Sequence, residues 1–229
     1  YDFYHVIASG DTLYFNIVNG TAKVTYPAAT SSIAYNGHVK PSGEIIIPAT
    51  VSNNGVTYTV TSIGASAFSQ CDEITSVSIP NSVTSIEHSA FFSCDGLVSI
   101  AIPSCVTSIG YSCFAYCSGL ISVSLSTGLT VINNNAFENC TSLLSIVIPE
   151  GVSEIDYATF SGCTALSSVS IPASVNTISS AAFSSCSSLS SIVIPDNVHV
   201  LNQAAFKSCT SLQYVTLPST MIHLAAEVI

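Results

Sequence analysis

Apolar residues in this chain alternate with polar ones in short runs that recur at a constant interval. Ile100 and Ile102 flank a single position, and Val123 and Leu125 repeat the arrangement 23 residues later. An apolar residue at every second position is typical of a strand with one buried face. The remaining runs are Val77/Ile79, Ile146/Ile148, Val169/Ile171, Ile192/Ile194 and Val215/Leu217. We therefore expect these short strands to stack as a parallel sheet.

Phenylalanine and cysteine keep the same interval. The phenylalanines are Phe68, Phe91, Phe114, Phe137, Phe160, Phe183 and Phe206, and a cysteine follows each three places later, at Cys71, Cys94, Cys117, Cys140, Cys163, Cys186 and Cys209. A fixed period of this length indicates one unit stacked on copies of itself, because a single unit cannot bury its own apolar face. The sequence predicts a solenoid with a spine of buried rings spaced by about 4.8 Å.

Each predicted strand is followed by residues that end it. Proline comes next in six of the seven units, at Pro80, Pro103, Pro149, Pro172, Pro195 and Pro218, whereas Ser126 takes this place in the seventh. The fixed φ and missing N–H of proline end a strand ladder. A second short extended segment follows, as at Val106 and Ile109. The next column consists mostly of turn or helix N-cap residues, namely Gly64, Glu87, Gly110, Asn133, Asp156, Ser179 and Asn202. We therefore predict a one-turn helix that begins there and carries the phenylalanine.

The N-terminal part departs from the period. Ile45-x-Ile47-Pro48 matches the strand and its proline, but the next proline comes nine residues late. The extra residues surround Asn53-Asn54-Gly55, which indicates an inserted β-hairpin. Asn19-Gly20, between strand-like runs at 12–18 and 21–26, indicates another hairpin.

These hairpins define the expected domain organisation. We predict that residues 1–59 form a β-rich cap with a partial first repeat, and that residues 60–229 form the solenoid, with seven full units and a partial last one. Met221-x-x-Leu224 begins that last unit without its phenylalanine or cysteine, so we expect either that the natural protein continues or that the last half coil packs irregularly. The start at Tyr1 suggests a processed, exported chain.

The unit Leu-x-x-Ile-x-Ile-Pro-x-x-Val-x-x-Ile-x-x-x-Ala-Phe-x-x-Cys resembles the BspA-like (Treponema pallidum type) leucine-rich repeat from Val60 to Pro218. The stretches around Tyr1-Asp2-Phe3 and Ile47-Pro48 look like the leader of Bacteroidetes members. The resemblance implies a right-handed α/β superhelix that is mostly β with one-turn helices. It also implies a secreted or surface-exposed protein of anaerobic bacteria, of a family with several members implicated in adhesion. It transfers no catalytic residue.

Composition narrows the partners. Three basic against 13 acidic residues give a net charge of -10, which disfavours nucleic acid and anionic membrane surfaces. No apolar stretch approaches the roughly 20 residues of a membrane span. We therefore expect a protein or glycan ligand, no nucleic acid, and no direct membrane insertion of this chain.

Chemistry-bearing residues fit no reactive site. The in-register cysteines are expected to be buried free thiols rather than a disulfide framework, while the redox states of the off-register Cys105 and Cys113 stay open. The five histidines fall in different registers without a recurrent nucleophile. The acidic residues Glu150, Glu154 and Asp156 are expected to face solvent or to cap. We predict no enzyme activity, no cofactor and no metal site.

The outward positions of the predicted sheet form a candidate partner-binding face without charge. It consists of Ser99, Ala101, Ser122, Ser124, Ser145, Val147, Ser168, Ser170, Ser191 and Tyr214, which we call the serine face. Serine is also merely compatible with tight stacking. As a binding surface, the face suits a protein or glycan, and Val98, Ile121 and Leu144 would add an apolar strip if they are exposed.

Two functions follow from these observations. The first is an extracellular or cell-surface adhesion module that binds a host or bacterial protein or glycan through the sheet face. The alternative is a structural spacer that has no ligand of its own.

Overall fold

The computed structural model describes residues 1–27, 35–219, 221–225 and 228, and it is an all-β solenoid of about seven turns. The N-terminal strands are β1 (Phe3–Val6), β2 (Thr12–Val18) and β3 (Thr21–Thr25). They are followed by β4 (Gly43–Ile46), β5 (Thr50–Asn53), β6 (Val56–Ile63), β7 (Ile74–Ser78), β8 (Ser85–Ile86), β9 (Ser99–Ala101), β10 (Ser108–Ile109), β11 (Ser122–Ser124), β12 (Val131–Ile132), β13 (Ser145–Val147), β14 (Glu154–Ile155), β15 (Ser168–Ser170), β16 (Thr177–Ile178), β17 (Ser191–Val193), β18 (Val200–Leu201), β19 (Tyr214–Thr216) and β20 (His223–Leu224).

Two parallel sheets run along the solenoid. The first contains the predicted apolar-x-apolar strands, in the order β4, β7, β9, β11, β13 and β15, with β17 and β19 continuing it as a separate pair. The second contains two-residue strands from β8 onward and is likewise in two pieces, with its break between β12 and β14. Equivalent residues of successive coils are in register, as Ser99 is with Ser122 and Ser145 is with Ser168. The predicted parallel stacking is confirmed.

The N-terminal strands extend the second sheet. β2 and β3 are antiparallel across Asn19 and Gly20, which both have positive φ, and β3 then pairs in parallel with β6. β5 and β6 form a second antiparallel pair around Asn54-Gly55. Both turns therefore lie where the Asn-Gly pairs of the sequence indicated them.

The predicted one-turn helix is wrong, because the segment that carries each phenylalanine is a series of tight turns. The residue two places before each ring has positive φ, namely Ser66, Ser89, Ser112, Asn135, Ala158, Ala181 and Ala204. So does the residue two places after it, at Gln70, Ser93, Tyr116, Asn139, Gly162, Ser185 and Ser208. Left-handed residues at this spacing leave no run of right-handed backbone long enough for a helix.

Backbone hydrogen bonds between coils replace those of a helix. The N–H of Phe91 donates to the carbonyl of Cys113 in the next coil over 2.9 Å, and that of Phe137 donates to Thr159 over 2.9 Å. Intervening N–H groups close local turns, as Cys140 does onto Phe137 over 3.2 Å. Every second amide in this segment thus belongs to a third ladder along the solenoid. A helix would direct those amides into its own coil and leave neighbouring coils untied.

The phenylalanine spine is confirmed. All seven rings are fully buried, and successive ring centroids lie 5.2 to 5.6 Å apart with planes within 10° of parallel. The seven in-register cysteines are buried beside the spine with free thiols, as predicted. Cys113 is also buried, whereas Cys105 is exposed. The core therefore runs the length of the solenoid between the two sheets and the turn segment.

Candidate ligand-binding face

All ten residues of the serine face lie on strands of the first sheet, with exposed side chains. Ser99, Ser122, Ser145 and Ser168 are direct neighbours across strands β9 to β15 and form one row of hydroxyls. Ser191 and Tyr214 continue this row on β17 and β19. The strands position them because the inward residues, such as Ile100 and Ile146, are anchored in the core.

The hydroxyls of the serine face make no hydrogen bond to any residue that the structure describes. Hydroxyls beside the face behave differently, because they tie adjacent coils together. Thr164 Oγ1 donates to the Thr141 carbonyl over 3.3 Å, and Ser167 Oγ donates to the Leu144 carbonyl over 3.2 Å. The row of serines thus keeps its donors and acceptors for solvent or a ligand.

The apolar strip beside the face is exposed. Val98, Ile121 and Leu144 occupy the same position in three successive coils, with 46%, 42% and 52% of their surfaces accessible. Sequence reasoning left their exposure open because it depends on where each strand starts. Since β9, β11 and β13 begin one residue after these side chains, the strip lies immediately before the strands.

The structure adds Ile46 and Glu44 to this surface. Ile46 pairs with Ser78 and Glu44 pairs with Ser76, so both belong to rows of the first sheet, and both are exposed. The signal for them was present in the match of Ile45-x-Ile47 to the repeat unit. The nine-residue insertion that follows obscured their alignment with later coils. Glu44 places one negative charge at the N-terminal end of an otherwise uncharged face.

The other groups considered from the sequence have structural partners. Glu154 accepts a hydrogen bond from Ser179 Oγ over 2.7 Å, and Glu150 accepts one from the Ala173 N–H over 3.3 Å. Asp156 Oδ1 accepts from the Tyr157 N–H over 2.8 Å, in a turn rather than at a helix N-cap. No group of three or more metal-ligating side chains occurs among the described residues.

The basic residues also lie apart from the face. Lys23 forms an ion pair with Glu87 over 3.1 Å, and Lys40 lies 3.5 Å from Asp72. Lys207 follows the last ring of the spine and is exposed in the turn segment. Part of the chain is masked from structural description, but in what is described no helix is long and apolar enough to cross a bilayer.

Sheets, spine and turn ladder together define a leucine-rich repeat solenoid. The chain belongs to the BspA-type leucine-rich repeat family, whose repeat model matches it in six copies over residues 49–164 and 130–228. Solenoids of this family are typically non-enzymatic and generally mediate protein interactions. The chain has no significant match among curated proteins.

Solved bacterial structures share this architecture. A leucine-rich repeat protein from Bacteroides ovatus is 32% identical with a TM-score of 0.85, over 98% of this chain and 55% of its own. A leucine-rich cell surface protein from Faecalibacterium prausnitzii is 31% identical with a TM-score of 0.77, over 93% and 54%. The T. pallidum leucine-rich repeat protein shares the fold at 24% identity and a TM-score of 0.58, over 90% and 80%. The chain thus spans about half the length of the first two.

Proposed function

We propose that this chain is a recognition module at the surface of a bacterial cell or outside it, which binds a protein or glycan through the serine face. The observation that carries the proposal is the row of exposed hydroxyls without partners, placed beside an exposed apolar strip. Free hydrogen-bonding groups beside apolar area are the components of a specific interface. A similar protein is described as a cell surface protein, which supports the location.

The test replaces Ser122, Ser145 and Ser168 together by lysine. We expect loss of binding to a panel of purified extracellular-matrix proteins and polysaccharides, with the melting temperature unchanged because all three side chains are exposed. The matched control carries lysine at Thr84, Thr107 and Thr130, which are exposed beside the second sheet. If the serine variant retains full binding, the site lies elsewhere.

A spacer function is the second candidate. It is supported by the regular repetition of the coils and by the greater length of the similar proteins, in which such a segment would extend a rod. Saturable binding of any panel member by this chain would exclude a pure spacer. If nothing on the panel binds, the spacer function is favoured.

We also propose a division of labour along the chain. Residues 1–59 would act as a cap and residues 60–229 as the repeat array. The pairing of β3 with β6 supports this, since it covers the first edge of the second sheet. Catalysis forms no part of the proposal, because the titratable groups discussed above do not converge on a cleft.

A further inference from the structure

The central row of the first sheet alternates between two kinds of side chain. Its members follow one another by strand register and by the repeat period, and they are Ile46, Ser78, Ala101, Ser124, Val147, Ser170, Val193 and Thr216. Apolar and hydroxyl side chains alternate strictly, so the row repeats every two coils. Val147 and Val193 are the most prominent apolar members, with 67% and 65% of their surfaces exposed.

This alternation is not required by the core. The inward residues beneath it are apolar in every coil, as Val123, Ile146 and Val169 illustrate, and their packing does not involve the outward side chains. Two exposed valines in place of serines therefore incur solvent exposure without an evident gain in packing. A partner with the same two-coil repeat would give them a contact.

The spacing of the coils limits what that partner is. Neighbouring strands lie about 4.8 Å apart, so two coils advance by about 10 Å. One pyranose ring of an extended β-1,4-linked chain covers close to the advance of one coil. In such a chain each ring is turned by half a turn relative to the last, so the chain also repeats every two rings. Apolar C–H surfaces and hydroxyl edges then alternate along one side of it.

Charge and size favour a neutral glycan over a folded protein. The ten residues of the serine face carry no charge, while the chain as a whole carries -10, which disfavours an acidic polysaccharide. The strands β9, β11, β13, β15, β17 and β19 are each three residues long. Such a narrow strip suits a single extended chain better than the roughly 800 Å² that each partner contributes to a standard protein interface.

We propose that the serine face binds a neutral, extended β-1,4-linked polysaccharide that lies along the solenoid axis with one sugar ring per coil. Val147 and Val193 contact the apolar surfaces of alternate rings. Ser124 and Ser170 hydrogen-bond to the rings between them, and the row from Ser99 to Ser191 bonds to hydroxyls along one edge. This inference rests on the proposed function and names its ligand class.

The experiment titrates the whole chain with cellohexaose, mannohexaose and chitohexaose, using chemical shifts of the strand amides as the readout. Maltohexaose is the control ligand, because it contains the same glucose units as cellohexaose in a coiled α-1,4 chain. We expect at least one β-1,4 hexasaccharide to bind and maltohexaose not to bind. Affinity should rise from trisaccharide to hexasaccharide, since each added ring reaches another coil.

The variant that tests the placement is Val147→Asp with Val193→Asp, for which we expect about tenfold weaker binding of the same hexasaccharide. Its matched control is Val131→Asp with Val56→Asp, two exposed valines outside the first sheet. Equal weakening by both variants, or equal binding of maltohexaose, overturns the proposal.

Two further outcomes separate this inference from the proposed function. If no β-1,4 hexasaccharide binds but a protein on the panel binds in a manner sensitive to the Ser122, Ser145 and Ser168 lysine variant, the glycan inference fails and the recognition function stands. If the lysine variant changes no binding at all, both fail.

Discussion

The thiol of Cys140 donates a hydrogen bond to the main-chain carbonyl of Phe114 in the preceding coil, with Sγ 3.1 Å from the oxygen. The same carbonyl accepts the N–H of Cys117 from its own coil over 3.2 Å. The arrangement recurs with Sγ–O distances of 3.0 to 3.2 Å at Cys94, Cys117, Cys163, Cys186 and Cys209. Cysteine therefore both fills the core and joins each coil to the one before it.

Replacing Cys140 by alanine should lower the free energy of unfolding by about 1 to 2 kcal/mol, because the S–H bond is lost and a small cavity remains. Urea denaturation measures the change. Cys105→Ala is the control and should have little effect, since that thiol is exposed. Equal effects of the two substitutions would contradict a structural role for the column.

Thiol reactivity should divide the cysteines into two classes. In the folded protein we expect only Cys105 to react rapidly with a disulfide reagent such as DTNB, because the other eight thiols are buried. After unfolding without reductant, all nine cysteines should react. Fewer than seven reactive thiols in the unfolded, unreduced protein would show that disulfides had formed.

Stability should fall on the alkaline side. Burial raises the pKa of Cys71 and of Cys163 from 9.0 to about 12. The folded state thus keeps its protons where the unfolded state loses them. The contribution of these thiols is complete below pH 9 and is lost between pH 9 and 12, at up to about 1.4 kcal/mol per pH unit for each thiol.

Urea denaturation at pH 8, 9 and 10 measures this slope. Cys163→Ala should make it shallower by the share of one thiol. A slope that is unchanged by the substitution would mean that the thiol already ionises in the folded protein.

Truncation of the spine should be costly. Phe137→Ala should lower the free energy of unfolding by roughly 3 to 5 kcal/mol, because the ring is fully buried between Phe114 and Phe160. Phe92→Ala is the comparison, since that ring is half-buried and lies outside the spine. A melting temperature unmoved by Phe137→Ala would be incompatible with the stacked interior.

The left-handed turn positions offer a stabilising substitution. Ala181 has a φ of 56°, which costs a residue with a Cβ about 1 to 2 kcal/mol. After allowing for the greater unfolded-state entropy of glycine, Ala181→Gly should raise the free energy of unfolding by roughly 0.5 to 1 kcal/mol. Ala182→Gly, next to it, has a buried side chain without positive φ and should destabilise. Thermal unfolding of both variants decides whether the backbone strain is present in solution.

Much of the fold followed from spacing in the sequence. Ile100 and Ile102 are buried on one strand face while Ser99 and Ala101 are exposed, as the period of two requires. Asn19-Gly20 formed its hairpin because this pair tolerates the positive φ of a tight turn. The family followed from the same spacing, since the phenylalanine and cysteine columns are its repeat motif.

The turn segment was the point at which sequence reasoning failed. Asn133 and Asp156 favour helix N-caps and tight turns alike, and nothing local distinguishes the two. The strict alternation of the central row also emerged only when strand register placed Ile46 opposite Ser78.

The amino-acid sequence alone thus specified the repeat, the strands, and which columns face the core, because burial of a periodic apolar pattern leaves few alternatives. The stacking of coils decided where the amides around Phe91 and Phe137 donate. Their acceptors lie in the next coil, and an acceptor that distant along the chain leaves no mark in the local pattern.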